Sequence, residues 1–291
     1  MISEHGGNAR AVAQALGLDP DDVLDLSASL NPVAPDPTRI VARHLDALSR
    51  YPDPTRATAA LADAMDVEVD RLLLTNGGAE AIALVAADVH AGWADECDFA
   101  LYRRYLPVLD PTGARFRSNP HNPTGRLADA EQRADVWDEA FYPLATGRWT
   151  RGDADAVVIG SLTKLLACPG LRVGYVLADA ATIERLRQRQ PQWSANGLVC
   201  AALPDLLDTV DLLVSARAVA TLRAQLLALL TDHGLDPLPS DANYVVCNDV
   251  YAELVKHGIV VRDCTAFGLP DRVRIAVPDE HGLARLAEAL S

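Results

Sequence analysis

Basic residues are scarce in this sequence. It has 26 lysines and arginines against 40 aspartates and glutamates, a formal net charge of −14 over 291 residues. A protein that binds a nucleic-acid backbone or an anionic membrane surface needs a basic face, so this balance argues against both classes. We expect no nucleic-acid partner and no membrane association.

Paired cysteines and targeting signals are missing as well. The first residues lack a basic stretch followed by an apolar one, so no secretory signal is predicted, and the apolar run 81–89 is too short to span a membrane. No C-x-x-C pair occurs, and no histidine stands at zinc-ligand spacing. These absences favour buried thiols in a reducing cytoplasm and no metal site. The five scattered cysteines are Cys97, Cys168, Cys200, Cys247 and Cys264.

Strand-like and helix-like segments alternate along the chain. Strands are predicted at 72–74, 156–159 and 173–177, and helices from 79 and over 182–189. Alternation of this kind predicts an α/β protein with a largely parallel sheet. The last hundred residues continue with the helices 216–230, 250–257 and 280–290 and the strands 244–247, 259–261 and 272–277, which predict a smaller α+β lobe.

Two polar segments stand out in the middle of the chain. In 118–125, two prolines and a glycine fix a loop that holds the amide of Asn122 in one direction. In 137–141, Asp138 ends an apolar stretch. Taken singly, each is more often an ordinary turn or cap than a functional site.

Two further segments follow the strand 156–159. Lys164 comes directly after it, where burial lowers the pKa of the amine, and a neutral amine can form a Schiff base and later act as a general base. Alone, it could equally be a surface lysine whose stem covers apolar area. Arg172 follows eight residues later and can converge on one phosphate with Ser161 and Thr163. Backbone N–H groups at a helix start can complete that phosphate site, namely those of Gly78, Ala79 and Glu80.

The ordered set of Asn122, Asp138, Lys164 and Arg172 supplies the groups that a pyridoxal phosphate (PLP) site requires. Asp138 would keep the pyridine nitrogen protonated, and Asn122 would hydrogen-bond the 3-oxygen of the ring. Lys164 would hold the aldehyde, and Arg172 would anchor the phosphate. The sequence therefore predicts PLP as the cofactor, with Lys164 and Asp138 as its catalytic residues.

On these motifs the chain resembles fold-type-I PLP-dependent enzymes of the aspartate aminotransferase superfamily, over nearly its whole length. Within that superfamily it is similar to histidinol-phosphate aminotransferases and, more closely, to the threonine-phosphate decarboxylase of cobalamin biosynthesis. The closer similarity rests on the segments His5-Gly6-Gly7-Asn8, 25–32, 51–53 and 193–196.

The resemblance implies a large PLP-binding domain with a mainly parallel sheet and a smaller α+β C-terminal domain. Residues 1–45 would be an N-terminal segment that contributes to the small domain and the substrate site, residues 46–195 the large domain, and residues 196–291 the small domain.

Further roles come from the same resemblance. Tyr51 would reach the cofactor phosphate of the neighbouring subunit, which implies a homodimer with shared active sites. Phe99 would stack on the cofactor ring. Arg274, assisted by Arg262, would bind the carboxylate or phosphate of a small phosphorylated amino acid, with Asn31 as a third substrate-binding residue.

The chain also departs from the family pattern. Only twelve residues separate Gly125 from Asp138, where the family inserts a helix and a strand, and the intervals 89–99 and 109–118 are short too. We expect a trimmed large domain, whose sheet has fewer strands or one thinly covered face. Phe141 stands where many aminotransferases have a tyrosine, and this departure favours the decarboxylase.

Three functions remain open at this point. The first is decarboxylation of L-threonine O-3-phosphate, which gives aminopropanol phosphate, and it is favoured by Phe141 and the segment 5–8. The second is an aminotransferase that resembles the histidinol-phosphate enzymes. The third is a non-catalytic PLP-binding protein, suggested by the short large domain but opposed by the intact Lys164, Asp138 and Arg172.

Overall fold

The structure is a computed structural model that describes residues 6–291, so His5 and the start of the 1–45 segment lie outside the described residues. Within this range the strands are Leu24–Asp25 (β1), Leu72–Thr75 (β2), Ala91–Trp93 (β3), Val108–Leu109 (β4), Ala114–Ser118 (β5), Val136–Asp138 (β6), Val157–Ser161 (β7), Gly174–Leu177 (β8), Tyr244–Asn248 (β9), Ile259–Val260 (β10), Arg262–Asp263 (β11) and Arg272–Ala276 (β12). The helices are Ala9–Leu16 (α1), Thr38–Ala42 (α2), Thr55–Met65 (α3), Gly77–Val89 (α4), Leu101–Tyr105 (α5), Tyr142–Thr146 (α6), Leu162–Leu165 (α7), Ala180–Arg189 (α8), Gly197–Leu207 (α9), Leu212–Asp232 (α10), Tyr251–Lys256 (α11) and Glu280–Leu290 (α12).

A seven-stranded sheet forms the centre of the larger part of the molecule. Its strand order is β2-β8-β7-β6-β5-β3-β4, and β8 is antiparallel to both of its neighbours while every other pair is parallel. The predicted α/β architecture with a mainly parallel sheet is therefore confirmed. Strands β3, β4 and β5 were not predicted from the sequence.

One face of this sheet, the front face, is covered by helices from β2 to β5. Phe116, Val136, Ile159 and Val176 point to this face and pack with α4, α5 and α8 in one apolar cluster. Because side chains alternate between faces along a strand, the residues between these positions form the opposite, back face.

The back face has two different halves. Over β2, β8 and β7, helices α3 and α9 pack on apolar side chains, and we call this the covered half. Among the described residues, none from β6, β5, β3 or β4 belongs to that apolar cluster, and we call this the trimmed half. One cross-strand row shows the change along the back face, running through Leu72, Leu177, Val158, Trp137 and Arg117.

Short connections account for the trimmed half. Parallel strands usually need a crossover of a dozen or more residues, but 110–113 alone joins β4 to β5, which lie on opposite sides of β3. This four-residue crossover lies directly against β3, since a Cβ at Gly113 would be 2.6 Å from the carbonyl of Ala91. From the short intervals we expected either fewer strands in the sheet or one thinly covered face. The sheet has seven strands, and its back face is thinly covered.

Arginines cover part of the trimmed half in place of a helix. The Arg115 guanidinium lies 4.8 Å from the ring centroid of Trp93, and that of Arg151 lies 4.9 Å from the ring of Trp137. Arg151 also donates hydrogen bonds to the carbonyl oxygens of Asp129 and Gln132, both at 2.9 Å, so it holds the loop that follows β5 against the sheet. An open cavity of about 1040 Å³ remains over this half.

The C-terminal part has its own apolar cluster around an antiparallel sheet with the order β11-β12-β9. Strand β1 pairs in parallel with β10, so the N-terminal segment joins this part. Helix α9 packs against α3 in the core of the large sheet. The domain boundaries at residues 45 and 195 stay predictions. Because α9 packs in the core of the large sheet, its position argues for placing the boundary between the large and small domains after α9.

Helix α10 is long and apolar enough, by length and composition alone, to cross a membrane. Its buried side chains bridge the two parts of the fold instead. Val219 belongs to the cluster under the covered half, whereas Leu222, Leu226 and Leu230 belong to the C-terminal cluster.

Candidate active site

A cavity of about 390 Å³ lies between the ends of strands β6 and β7 and the C-terminal sheet. It brings together most of the residues singled out in the sequence. Those that line it are Gly78, Ala79, Phe99, Asn122, Asp138, Ser161, Thr163, Lys164, Arg172, Arg262 and Arg274.

Lys164 lies in α7, immediately after β7. Its amine donates a hydrogen bond to the carbonyl oxygen of Ala28 at 3.2 Å and lies 5.9 Å from the ring centroid of Phe141. Burial, followed by the charges of Arg274 and Arg172, lowers the pKa of this amine to about 8. A substantial fraction is therefore neutral near that pH, as a nucleophilic lysine requires.

Asp138 ends β6 beside β7. One carboxylate oxygen accepts a hydrogen bond from the Tyr102 hydroxyl at 2.9 Å, and the other accepts from the N–H of Ala140 at 3.1 Å. Burial raises the pKa of Asp138 to about 6. The carboxylate points into the cavity and can pair with a cation such as a protonated ring nitrogen.

The start of α4 is shaped for a phosphate group. The N–H groups of Gly77, Gly78 and Ala79 belong to the first turn of the helix, where they lack intrahelical acceptors. Gly77 has a φ of +76°, and a Cβ at this position would collide with the guanidinium of Arg172. The hydroxyl of Thr163 is buried without a hydrogen-bond partner among the described residues. These donors and this space fit the phosphate of PLP.

Asn122 is oriented by an arginine. Its amide oxygen accepts a hydrogen bond from Nη1 of Arg274, and its backbone N–H donates to the Ser118 hydroxyl at 2.7 Å. The amide NH₂ group is then the part of the side chain left for a ligand oxygen. The predicted role of Asn122 toward the 3-oxygen of the cofactor would use this group.

Two arginines form the wall opposite Lys164. Arg262 and Arg274 are register partners on β11 and β12, and they are only 5% and 6% exposed. Both guanidiniums lie on Phe267, at 5.4 and 6.0 Å from its ring centroid, and Arg274 also lies 4.6 Å from the ring of Tyr244. Like charges directly across a strand pair are unfavourable, so this arrangement favours the binding of anions.

Three predicted residues do not line the cavity. Asn31 donates to the carbonyl oxygen of Leu165 at 3.0 Å, so its side chain holds the segment around Lys164 and does not line the cavity. Glu80, predicted to act through its backbone N–H, is absent from the lining of the cavity, and its side chain folds back on the helix start and accepts from the N–H of Asn76 at 2.6 Å. Tyr51 is 78% exposed on the outer surface.

Sequence reasoning missed two residues of the site. Tyr102 contacts Asp138, and Phe267 lies against both arginines of the cavity, Arg262 and Arg274. The local sequence does not mark Tyr102, because its contact with Asp138 depends on how α5 is placed against β6. No local signal marks Phe267.

The family model described as aminotransferase class I and II matches residues 114–290. The chain is 32% identical to the threonine-phosphate decarboxylase of Salmonella typhimurium over 358 positions, which cover 99% of this chain and 97% of the relative. It is 28% identical to the histidinol-phosphate aminotransferase of Halorubrum lacusprofundi, with 100% and 96% covered. Alignments of 358 positions exceed the 291 residues of the chain, so it lacks segments that these relatives possess.

The fold also matches solved structures. The histidinol-phosphate aminotransferase of Sinorhizobium meliloti, in complex with pyridoxal-5'-phosphate, superimposes with a TM-score of 0.83 at 18% identity. The match covers 97% of this chain and 93% of that one.

Proposed function

The chain belongs to the aminotransferase class I and II family of PLP-dependent enzymes, and we propose that its reaction is the decarboxylation of L-threonine O-3-phosphate. The reaction would supply aminopropanol phosphate for cobalamin biosynthesis. The observation that carries the proposal is the pair Arg262 and Arg274, which face Lys164 across one cavity.

The pair of arginines suits a substrate with two anionic groups. L-Threonine O-3-phosphate carries a carboxylate on Cα and a phosphate on the oxygen of Cβ, and a guanidinium binds either group with two parallel hydrogen bonds. With Arg172 assigned to the cofactor phosphate, each anionic group of the substrate has its own arginine. Histidinol phosphate has a phosphate but no carboxylate.

The side chains around the cavity have distinct tasks in this proposal. Arg172, Thr163 and the first turn of α4 would hold the cofactor phosphate, and Asp138 and Asn122 would hold its ring. When bound, PLP supplies an aldehyde for an amine and a protonated ring that accepts the electron pair of whichever Cα bond stands perpendicular to it.

Lys164 carries the proton in either reaction. Its amine would be placed to deliver a proton to the substrate Cα after the carboxylate has left as carbon dioxide. The same amine can instead remove the proton of Cα, which leads to transamination. The arginine pair orients the substrate, and so it decides which bond at Cα is aligned for cleavage.

Phe141 supports decarboxylation. It lines the cavity and is 8% exposed, and its ring offers no hydroxyl to the cofactor. Without this hydroxyl, the 3-oxygen of the cofactor would accept one hydrogen bond fewer. The similarity to the decarboxylase implies the same arrangement.

The aminotransferase reaction is the second candidate. The relative from Halorubrum lacusprofundi supports it, and a dicarboxylic amino donor would also place an anion on each of Arg262 and Arg274. The non-catalytic alternative is set aside, since the chain is a member of an enzyme family and keeps Lys164 and Asp138 in the cavity.

We also propose a homodimer that acts in the cytoplasm. Tyr51 is stacked on Trp193, 4.6 Å between ring centroids, and both rings are more than half exposed. Leu45 and Leu48 extend this apolar surface, which a second subunit would bury. Five free cysteines suit a reducing compartment.

The test is to mix the protein and PLP with L-threonine O-3-phosphate, without any keto acid, and to measure release of carbon dioxide. Release that depends on PLP supports the proposal. If no carbon dioxide appears but histidinol phosphate and 2-oxoglutarate give glutamate, the aminotransferase reaction replaces it.

A further inference from the structure

Each carboxylate oxygen of Asp138 accepts a hydrogen bond from another residue of the protein. Oδ1 accepts from the N–H of Ala140, N···O 3.1 Å, which is a local contact at the strand end. Oδ2 accepts from the hydroxyl of Tyr102, O···O 2.9 Å, which comes from a different element, α5. One donor on each oxygen fixes the plane of the carboxylate.

Strand register sets the position of the Tyr102 hydroxyl. Just before α5, the carboxylate of Asp98 accepts hydrogen bonds from the N–H of Phe99 at 2.8 Å and from the N–H of Ser118 at 3.0 Å. Ser118 is the register partner of Asp138 between β5 and β6. The start of α5 is thus tied to the strand position directly beside Asp138, and Tyr102 reaches back over it.

The hydrogen bond between Tyr102 and Asp138 is buried, and it therefore affects the ionisation of Asp138. Tyr102 is 0% exposed. Burial favours the protonated form of Asp138, and the hydrogen bonds from Ala140 and Tyr102 oppose it. Burial and the neighbouring Asp138 charge raise the pKa of the Tyr102 hydroxyl well above its usual value, so it remains a donor at working pH. A neutral carboxyl group could not pair with a protonated ring nitrogen.

We propose that Tyr102 is a positioning residue whose hydroxyl keeps the Asp138 carboxylate ionised and turned toward the cofactor nitrogen. The inference rests on the role of Asp138 in the proposed function. It holds equally for decarboxylation and for transamination, because both need the same protonated ring.

The test compares PLP binding by the apoprotein across pH, using equilibrium dialysis with PLP as the probe. Tyr102→Phe removes the hydroxyl and keeps the ring, and Tyr105→Phe makes the same change on the exposed side of α5. We expect Tyr102→Phe to bind PLP about threefold more weakly near pH 6.5 and to lose affinity on acidification at a pH about one unit higher than the unmodified protein. Tyr105→Phe should leave both quantities unchanged.

The direction of the shift follows from the Asp138 equilibrium. Affinity is highest where Asp138 is ionised and falls as the pH drops through its pKa, so loss of a donor moves this fall to higher pH. The comparison between variants isolates Tyr102, since the other titratable groups around Asp138 are unchanged. They are Asp98 before α5, Lys164 after β7, Tyr175 on β8 and Tyr244 on β9.

Asp138→Asn, measured in parallel, separates the two possible failures. If Asp138→Asn keeps the affinity and pH profile of the unmodified protein, the assigned role of Asp138 is wrong and the inference falls with it. If Asp138→Asn weakens binding and Tyr102→Phe does not shift the profile, only the inference about Tyr102 is overturned.

A second variant covers the case in which Tyr102→Phe does not fold. Site-specific replacement of Tyr102 by 3-fluorotyrosine keeps the ring and makes the hydroxyl a stronger donor. We expect the acid-side loss of PLP affinity to move to lower pH, opposite to the effect of phenylalanine. An unchanged or higher midpoint would contradict the proposal.

Discussion

The covered and trimmed halves of the large sheet differ on the back face and meet at one site. The covered half packs apolar side chains under α3 and α9, and it ends in Lys164. The trimmed half has arginines stacked on Trp93 and Trp137 in place of a helix, and it ends in Asp138. Both contribute to the same cavity.

This difference shows which parts of the fold the site depends on. Lys164 and Asp138 lie at the ends of neighbouring parallel strands, so the register of β6 and β7 determines their relative position. Helical cover of the back face does not enter that geometry. In the trimmed half, hydrogen bonds from Arg151 hold a loop against the sheet, where the covered half has packed helices.

The largest effect is expected at the end of the covered half. Lys164→Ala should reduce turnover by at least about a thousandfold, because the amine acts both as nucleophile and as proton carrier. Turnover assays and retention of PLP on gel filtration would measure it. The sequence contains one other lysine, so Lys256→Ala is the matched control. Substantial turnover in Lys164→Ala would remove the lysine from the mechanism.

The next largest effect concerns the packing of the covered half. Leu203 is fully buried in α9, and Leu203→Ala should lower the free energy of unfolding by about 3 kcal/mol through lost burial and a cavity. Urea denaturation would measure it. Leu213→Ala, at a side chain that is 56% exposed, should change stability by less than about 0.5 kcal/mol. Equal losses in both variants would mean that α9 packing is not what stabilises this half.

Replacement of Arg151 tests how the loop that follows β5 is held against the trimmed half. Arg151→Met should lower stability by about 2 kcal/mol, because the side chain is only 12% exposed and its charge-assisted hydrogen bonds are lost. Hydrogen exchange should accelerate in 128–132 and stay unchanged in α9. Arg148→Met changes a nearby exposed arginine and should have no such effect. Unaltered exchange in 128–132 would show that the loop does not depend on Arg151.

The smallest effect is expected at the four-residue crossover. Gly113→Ala places a methyl group against the backbone of β3, and overpacking of this kind should cost about 1 kcal/mol. Gly170→Ala is the control, because nothing lies within 4 Å of a Cβ at that position. Thermal unfolding of both variants would measure the difference. Equal midpoints would mean that the crossover can move away from β3.

The strands at 72–74 and 173–177 could be predicted because they are apolar on both faces and bounded by turn residues. Strand β5 could not, since Arg115 and Arg117 alternate with Phe116 and occupy the back face, where a sheet of this class normally presents apolar residues. Their position makes sense only once the missing cover is known.

The site shows the same limit. Residues whose role lies within one motif, such as Lys164 and Asn122, could be identified from local sequence. Tyr102 could not, because its role depends on the contact between Asp98 and Ser118, twenty residues apart. Asn31 was assigned to the substrate, but its amide is engaged by the backbone at Leu165, a contact that spans 134 residues.

The crossover at 110–113 has a consequence for how small such an enzyme can become. Strands β4 and β5 lie two strand spacings apart, about 9.5 Å, and four residues cross that distance with a glycine pressed on the strand between them. A deletion here would remove a strand. The minimal length of this architecture is therefore set by its strands and the shortest paths that join them, and this chain has reached that limit between β4 and β5.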